Sequence, residues 1–345
     1  MNRNFHIFIT IKYYETCREY GLFGVSELGK KWGINQLANV NKGDIAFFFT
    51  TQKIGKRSRG VVYGPFEVIS DPFYNDEVVW SNKNNGKDPY SYRVKIKALS
   101  EHFCINPISI QRIYDLRDEY KIKSILDTSS FSERSVCNLF MDEGMLILEA
   151  LLQNNFQNIK DGAHYKGHSL IEHDFNLFEA KRLKKIHNGF IFTRESFLEA
   201  YLLRNRNLLM NLSCYQNKNT VLDVYNQIGT YIAGGNIDVV TLIKEKLLDS
   251  EFIIGANVIE LKNEPLEADN LHQLKEYIEW TQRILPRCKK EMIHGILVGP
   301  KFGERSNQSK EVFKIELKHF TEFYNIKAFE YFIASDLQFT YEPIK

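Results

Sequence analysis

Gly234-Gly235-Asn236-Ile237-Asp238-Val239-Val240, then Val258-Ile259-Glu260-Leu261-Lys262, then Gln273-Leu274-Lys275-Glu276-Tyr277: these three stretches decide how the second half of the chain reads. The first two are β-like runs, and each carries one carboxylate among apolar neighbours. The third has the period of a helix and sets Gln273 and Tyr277, four positions apart, on one face. A carboxylate at the end of a buried strand is costly unless it is paired or binds a metal. Two carboxylates and a lysine on neighbouring strand ends can hold a divalent metal beside a water, with the lysine orienting that water toward a phosphodiester. The residues themselves therefore point to a metal-dependent nuclease with Asp238, Glu260 and Lys262 at its centre.

Glu-x-Lys by itself carries little information, since it occurs at Glu119-Tyr120-Lys121, Glu179-Ala180-Lys181, Glu260-Leu261-Lys262 and Glu316-Leu317-Lys318. The copy at 315–318 sits among Phe313, Leu317 and Phe320, an i, i+4, i+7 pattern that predicts a helix with solvated Glu and Lys. Upstream, Thr193-Arg194-Glu195 to Met210 predicts an amphipathic helix on which Glu195 and Glu199 share a face. Glu199, at the edge of the apolar side, is a candidate third metal ligand. Strands are expected over 219–232, 236–243 and 252–261, followed by a helix at 269–285, a strand at 295–298, a helix at 306–324 and a strand at 327–333. That order predicts an α/β layer with a mixed sheet.

A length of 345 residues fits two domains. The net charge of +2 is nearly neutral, so any affinity for nucleic acid must come from local basic patches. Cys17, Cys104, Cys137, Cys214 and Cys288 form no CxxC pair, which argues against a zinc site or a disulfide framework and fits a reducing cytoplasm. The start lacks a signal-peptide apolar region, and no run of about 18 apolar residues suggests a membrane span. His164, His168 and His173 lie in a stretch of weak periodicity and read as solvated connection residues.

The first half is strand-rich. Phe5–Lys12 alternates, Ile45–Phe49 is a continuous apolar run, and Gly60–Ser70 and Tyr90–Ala98 follow, separated by turn chemistry at Asn41-Lys42-Gly43-Asp44 and Asp71-Pro72. This spacing suggests a small β-barrel, closed by a helix over 134–153. Residues 154–190 have weak periodicity and read as an interdomain connection. Phe23, Trp32, Tyr63 and Trp80 fall at strand ends or in loops, where aromatic rings can stack on a base drawn out of a duplex. Ser26 and Asp44 are candidate polar contacts to it. Lys53, Lys56, Arg57 and Arg59, with no acid among them, form a candidate phosphate clamp, and Lys181–Lys185 is a further basic run.

Two family resemblances overlie these readings. Phe197-Leu198-Glu199-Ala200-Tyr201-Leu202, Ile237-Asp238, Ile259-Glu260-Leu261-Lys262 and Gln273-Leu274-x-x-Tyr277 resemble the PD-(D/E)xK nuclease superfamily, most closely its NucS-like endonucleases, from about Phe192 to Phe302. The resemblance implies Asp238, Glu260 and Lys262 as the core triad, Glu199 as the helix acid, and Gln273 with Tyr277 as supporting groups. Phe23-Gly24-Val25-Ser26, Asn41 to Phe49, Gly60 to Ser70 and Pro89 to Ile96, in that order, look like an EVE domain, a PUA-like barrel related to YTH readers, over Asn4 to Gln153. That likeness implies a pocket for a modified base, with Phe23 where YTH relatives have a cage tryptophan.

The expected architecture is α+β in two domains. Residues 1–153 form a PUA-like β-barrel with flanking helices, 154–190 a linker, and 191–345 an α/β restriction-endonuclease-like fold with a mixed sheet. The expected function is a modification-dependent, type IV-like endonuclease cutting double-stranded DNA that bears a modified cytosine. It would use Mg2+ or Mn2+ held by Asp238, Glu260 and Glu199, work in the cytoplasm, and form a homodimer if both strands are cut. A repair nuclease directed to mismatched or damaged bases, or a nucleic-acid reader with an inert nuclease domain, are the alternatives.

Overall fold

The computed structural model describes residues 3–26, 33–54, 57–80, 90–99, 106–120, 134–156, 170–186, 189–213, 220–230, 235–247, 250–285, 288–301 and 307–344. The chain is mixed α+β and divides into two compact units, Met1–Phe175 and Asn176–Lys345.

The first unit holds β1 (Phe5–Ile9), β2 (Leu22–Val25), β3 (Ile45–Ile54), β4 (Arg57–Val68), β5 (Phe73–Tyr74), β6 (Tyr92–Ala98), β7 (Ile108–Ser109) and β8 (Val136–Leu139). They form one sheet in the order β2-β6-β4-β3-β1-β8, with β5 on β6 and β7 on β4. The outer strands β2 and β8 do not pair with each other among the described residues. β1 runs parallel to β3 and antiparallel to β8. Alternation decides the core. Phe5, Ile7 and Ile9 of β1 and Ile45, Phe47 and Phe49 of β3 share one buried cluster with residues of α3 (Ile110–Tyr120) and α4 (Met141–Asn155). On the opposite face Phe8 stacks on Phe23 at 4.1 Å and meets Phe48 edge-on. Two shorter helices, α1 (Tyr14–Tyr20) and α2 (Ile34–Ala38), complete the unit.

Val136–Leu139 was expected to open the closing helix, and it is a strand. All four residues are buried, a demand that a strand bonded to β1 meets and an amphipathic helix does not. The helix starts at Met141, where the Glu143 side chain accepts the Phe140 N–H at 2.9 Å. The described residues of the expected linker also belong to the units. Tyr74 and His173 exchange backbone hydrogen bonds of 3.0 Å, and Asn75 Nδ2 donates to the Ile171 carbonyl at 3.0 Å. Beyond the division, Arg182 is buried, and Leu183–Ile186 forms β9 against β10 (Gly189–Phe192). The exposed Lys184 and Lys185 mask this strand in the sequence.

The second unit continues with α5 (Glu195–Arg204), α6 (Arg206–Leu212), β11 (Thr220–Gly229), β12 (Asn236–Leu247), β13 (Ser250–Leu261), α7 (Ala268–Ile284), β14 (Ile293–Pro300), α8 (Asn307–Tyr324), β15 (Ile326–Ile333) and β16 (Phe339–Pro343). Its sheet runs β11-β12-β13-β14-β15-β10-β9 with β16 on β15. β11, β12 and β13 are antiparallel, whereas β13, β14 and β15 are parallel and joined through α7 and α8, so the sheet is mixed as expected. The predicted single helix over 193–210 is interrupted at Asn205, whose side-chain amide donates to the Tyr201 carbonyl at 2.8 Å. Glu316 and Lys318 lie on α8, with Phe313, Leu317 and Phe320 buried beneath them, as their spacing required. The three cysteines among the described residues, Cys17, Cys137 and Cys288, are buried and free. No helix of the described residues is long and apolar enough to cross a membrane.

Gly144 is where α4 meets β1 most closely: a Cβ there would lie 2.1 Å from Cγ of Phe5. Gly144→Ala is expected to destabilise the protein by about 1–3 kcal/mol through overpacking, despite the better helix propensity of alanine. A chemical denaturation curve with an unchanged midpoint would count against this close fit.

Candidate functional site

In the second unit, pairing of Val239 with Ile259 sets Asp238 beside Glu260 at the ends of β12 and β13. Asp238 is buried and Oδ2 accepts the Leu261 N–H at 2.8 Å, while Oδ1 accepts Gln227 Nε2 at 3.3 Å. Lys262 Nζ donates to Glu260 Oε1 at 2.5 Å. The other oxygen of Glu260, Oε2, is buried and meets no donor in strict hydrogen-bond geometry, while the Asp238 and Glu260 carboxyls lie close enough to share a proton. On α7, Gln273 Nε2 donates to the Tyr277 hydroxyl at 2.9 Å. A Cβ on Gly235 would lie 2.5 Å from that hydroxyl, which explains a glycine just before β12. Glu199 on α5 is buried, and its two oxygens accept Asn226 Nδ2 at 2.8 Å and Gln227 Nε2 at 2.9 Å.

Two residues that the sequence did not single out complete this arrangement. Gln227 spans Glu199 and Asp238 with one amide group, and it does so from a left-handed backbone, φ 53°. Such a conformation is unfavourable for a residue with a Cβ and persists where surrounding contacts enforce it. No local sequence signal marks it. Glu195, at the start of α5, interacts electrostatically with Asp238, Glu260, Lys262 and Glu264. Its i, i+4 relation to Glu199 was legible, but which of the two carboxylates meets the charges of the strands was not.

Burial pushes the Asp238 and Glu260 carboxyls well above the ordinary carboxylate range, and for Glu260 the charge of Asp238 adds to the effect. Glu195 is pushed up to about 8, first by burial and then by Asp238 and Glu264, with Lys262 opposing. Burial would lower Lys262, yet the carboxylates of Glu260, Glu195 and Asp238 outweigh it and hold the ammonium charged. Burial likewise lifts the Tyr277 hydroxyl to about 12, so it stays protonated. Several acids thus crowd one ammonium in a partly desolvated place. Asp238 and Glu260 are hard oxygen groups of the kind that divalent cations take. Among the described residues no group of three or more His, Cys, Asp or Glu stands close enough to hold a metal ion.

The first unit contains a cavity of about 350 Å³ whose walls include Phe23, Trp80, Tyr13, Tyr90, Thr10 and Lys12. Of the expected base contacts, Phe23 and Trp80 are brought together here. Phe23 gives one ring face to Phe8. Trp80 meets Tyr90 edge-on at 5.6 Å, and Tyr90 meets Tyr13 at 5.9 Å. Tyr63 stacks on Tyr14 at 4.3 Å and does not line the cavity. Nor does Asp44, which is buried in the turn before β3 and accepts Asn4 N–H at 3.1 Å, Asn41 N–H at 2.9 Å and His6 Nε2 at 2.9 Å. Ser26 is half-buried just past β2. Trp32, Lys56 and the side chains of Lys53 and Arg57 lie outside the described residues, and Arg59 is exposed on β4. Tyr13 and Tyr90 carried no signal beyond residue type, since their approach depends on α1 and β6 being folded.

No known family model matches the chain. Among curated proteins it is 29% identical over 89 residues to the UPF0310 protein PH1033 of Pyrococcus horikoshii, covering 25% of this chain and 59% of that protein. The chain thus spans less than two thirds of that relative's length. Among solved structures it is similar to Rpa0253 from Rhodopseudomonas palustris, at a TM-score of 0.28 and 12% identity, over 42% of this chain and 91% of that one. A complex of the YTH domain-containing protein mmi1 with RNA is similar at a TM-score of 0.27 and 18% identity, over 44% of this chain and 85% of that one.

The raised carboxyl of Glu195 has a signed consequence for stability. Its ordinary value is 4.5 and its folded value about 8, so between those limits the folded state keeps a proton that the unfolded state has lost. That contribution is fully present below about pH 4.5 and is lost as pH rises through about 8. Glu195→Gln, which cannot titrate, is expected to flatten the decline of melting temperature across this window. An identical pH profile for the variant would remove Glu195 from the charged cluster.

Proposed function

We propose that the chain is a metal-dependent endonuclease that selects DNA through a modified base, with cytosine the base read and Mg2+ or Mn2+ the metal. The observation that carries this reading is the meeting of Asp238, Glu260 and Lys262 at two adjoining strand ends, with both acids buried. Asp238 and Glu260 would hold the metal, the remaining positions falling to water and phosphate oxygens, as is usual for Mg2+. Glu199 holds the Gln227 amide that also donates to Asp238. The bound ion would supply charge neutralisation at the scissile phosphate and a more acidic water.

The rest is the work of the chain's own groups. Lys262, kept charged by its carboxylate neighbours, donates hydrogen bonds at the site and orients the water or a phosphate oxygen. Glu195, whose carboxyl burial pushes up to about 8, is suited when ionised to accept the proton that the attacking water gives up as the new P–O bond forms and the bond to the leaving sugar oxygen breaks. Gln273 fixes the Tyr277 hydroxyl, which stays protonated and can donate. In the first unit the cavity walled by Tyr13, Trp80 and Tyr90 would receive a base turned out of the duplex, stacked on aromatic faces. A double-stranded DNA partner and a homodimer that cuts both strands belong to the same proposal.

Cleavage of duplexes carrying cytosine, 5-methylcytosine or 5-hydroxymethylcytosine, with and without Mg2+ or Mn2+, tests the whole. Asp238→Asn, Glu260→Gln and Lys262→Ala are each expected to lower cleavage by at least about a hundredfold while DNA binding persists, because phosphate contacts elsewhere supply most affinity. Lys318→Ala, on α8, is expected to cut normally. Activity lost in Lys318→Ala but kept in Lys262→Ala would overturn the assignment, and no metal-dependent cleavage of any duplex would leave a reader without nuclease activity.

Recognition is tested separately. Tyr90→Ala or Tyr13→Ala is expected to remove a stacking face of about 1–3 kcal/mol, or roughly a 5- to 150-fold loss in affinity, for the modified duplex only. Equal affinity for all three duplexes, unmoved by either variant, would mean that the cavity reads no base.

A further inference from the structure

Arg93 lies in β6 and is fully buried, a rare place for a guanidinium. Its donors go to three acceptors on two stretches of chain, 75–77 and Tyr90. Nε donates to the Tyr90 carbonyl at 2.9 Å, Nη2 to the Glu77 carbonyl at 2.5 Å, and Nη1 to Asn75 Oδ1. The face of the guanidinium lies 5.1 Å from the Trp80 ring centroid. The cross-strand neighbour of Arg93 is Gly24, where a Cβ would lie 2.9 Å from the Tyr90 carbonyl oxygen and 3.2 Å from Cη2 of Trp80. Trp80 and Tyr90 are therefore set from two sides: a missing side chain makes room for them, and a planar fork fixes one backbone and faces the other ring. Asn75 anchors the far end of the fork and passes the tie on, since its Nδ2 donates to the Ile171 carbonyl.

We propose that Arg93 is the positioning residue of the aromatic cavity, holding the Trp80 and Tyr90 walls in their edge-on contact and tying them through Asn75 to segment 170–175. The consequence for base recognition rests on the reading of this cavity given above; the positioning itself does not. Lysine cannot replace arginine in this role, because a single ammonium cannot reach three diverging acceptors or present a flat face to an indole. Segment 170–175 ends where the first unit ends, and Asn75, the residue that holds Arg93, bonds to it.

The test uses the full chain labelled with 5-fluorotryptophan and observed by fluorine NMR, first without nucleic acid. Three tryptophans give three resonances, and the one missing from Trp80→Phe identifies Trp80. Arg93→Lys is expected to shift or split the Trp80 resonance and leave that of Trp280 in place. Asn75→Ala is expected to do the same to a smaller degree, and it decides the question if Arg93→Lys does not fold. The affinity of Arg93→Lys for a duplex carrying 5-methylcytosine or 5-hydroxymethylcytosine is expected to fall about tenfold, within the range of a lost stacking contact. A Trp80 resonance unchanged in both variants overturns the proposal, as does a Trp280 resonance that moves as far as that of Trp80. A displaced Trp80 resonance with no loss of affinity upholds the positioning role and counts instead against the base-reading assignment.

Discussion

The Leu261 N–H that reaches across to Asp238 settles more of the second unit than any other contact. Asp238 is held among apolar strand residues, where a carboxylate that lacks partners would be untenable. One partner is that amide, and accepting it sets the ends of β12 and β13 level with each other. The second partner, Gln227, can be supplied only if β11 turns its backbone into the left-handed region at that point. The same Gln227 amide then engages Glu199, so α5 is located by the side chain that satisfies Asp238. Glu195, one turn earlier on α5, is carried into the field of the strand charges by this placement. A single demand for hydrogen bonding thus propagates from a strand end to a neighbouring strand and on to a helix.

The first unit uses its aromatic rings for two purposes that residue type cannot separate. Phe8, Phe48 and Phe66 are core, stacked or edge-on within one buried group. Tyr13, Trp80 and Tyr90 have similar chemistry and line a cavity. The difference lies in what surrounds them. The core rings pack mainly against one another, whereas the cavity rings are held by a glycine gap and a buried guanidinium. Asp44 shows the converse. Its turn position suggests an available polar group, yet two backbone amides and a buried imidazole occupy its oxygens.

Strand and helix positions in the second unit were legible because its elements carry clean periods, and α7, α8, β14 and β15 fall within a few residues of their expected bounds. The strand β8 was not, because a short apolar run satisfies helical and extended patterns alike until a partner strand is known. β9 was hidden for a different reason, since its lysines leave it half exposed at the end of a sheet. At the candidate site, Asp238, Glu260 and Lys262 announced themselves as charges embedded in apolar runs. Gln227 and Arg93 did not, because an amide and a guanidinium become informative only when their acceptors, distant in sequence, are brought to them.

The position of β1 has a consequence for how the protein is made. The first strand of the chain is interior to its sheet, parallel to β3 on one side and antiparallel to β8 on the other. Its second neighbour is therefore among the last parts of the unit to leave the ribosome, and the helix that covers Phe5 follows later still. Until then β1 offers a bare hydrogen-bonding edge and a row of apolar side chains to anything nearby. Pairings so remote along the chain are slow to form, because loop closure must precede the contacts that compensate it. Nascent chains that end before β8 are accordingly expected to keep this edge of β1 unpaired.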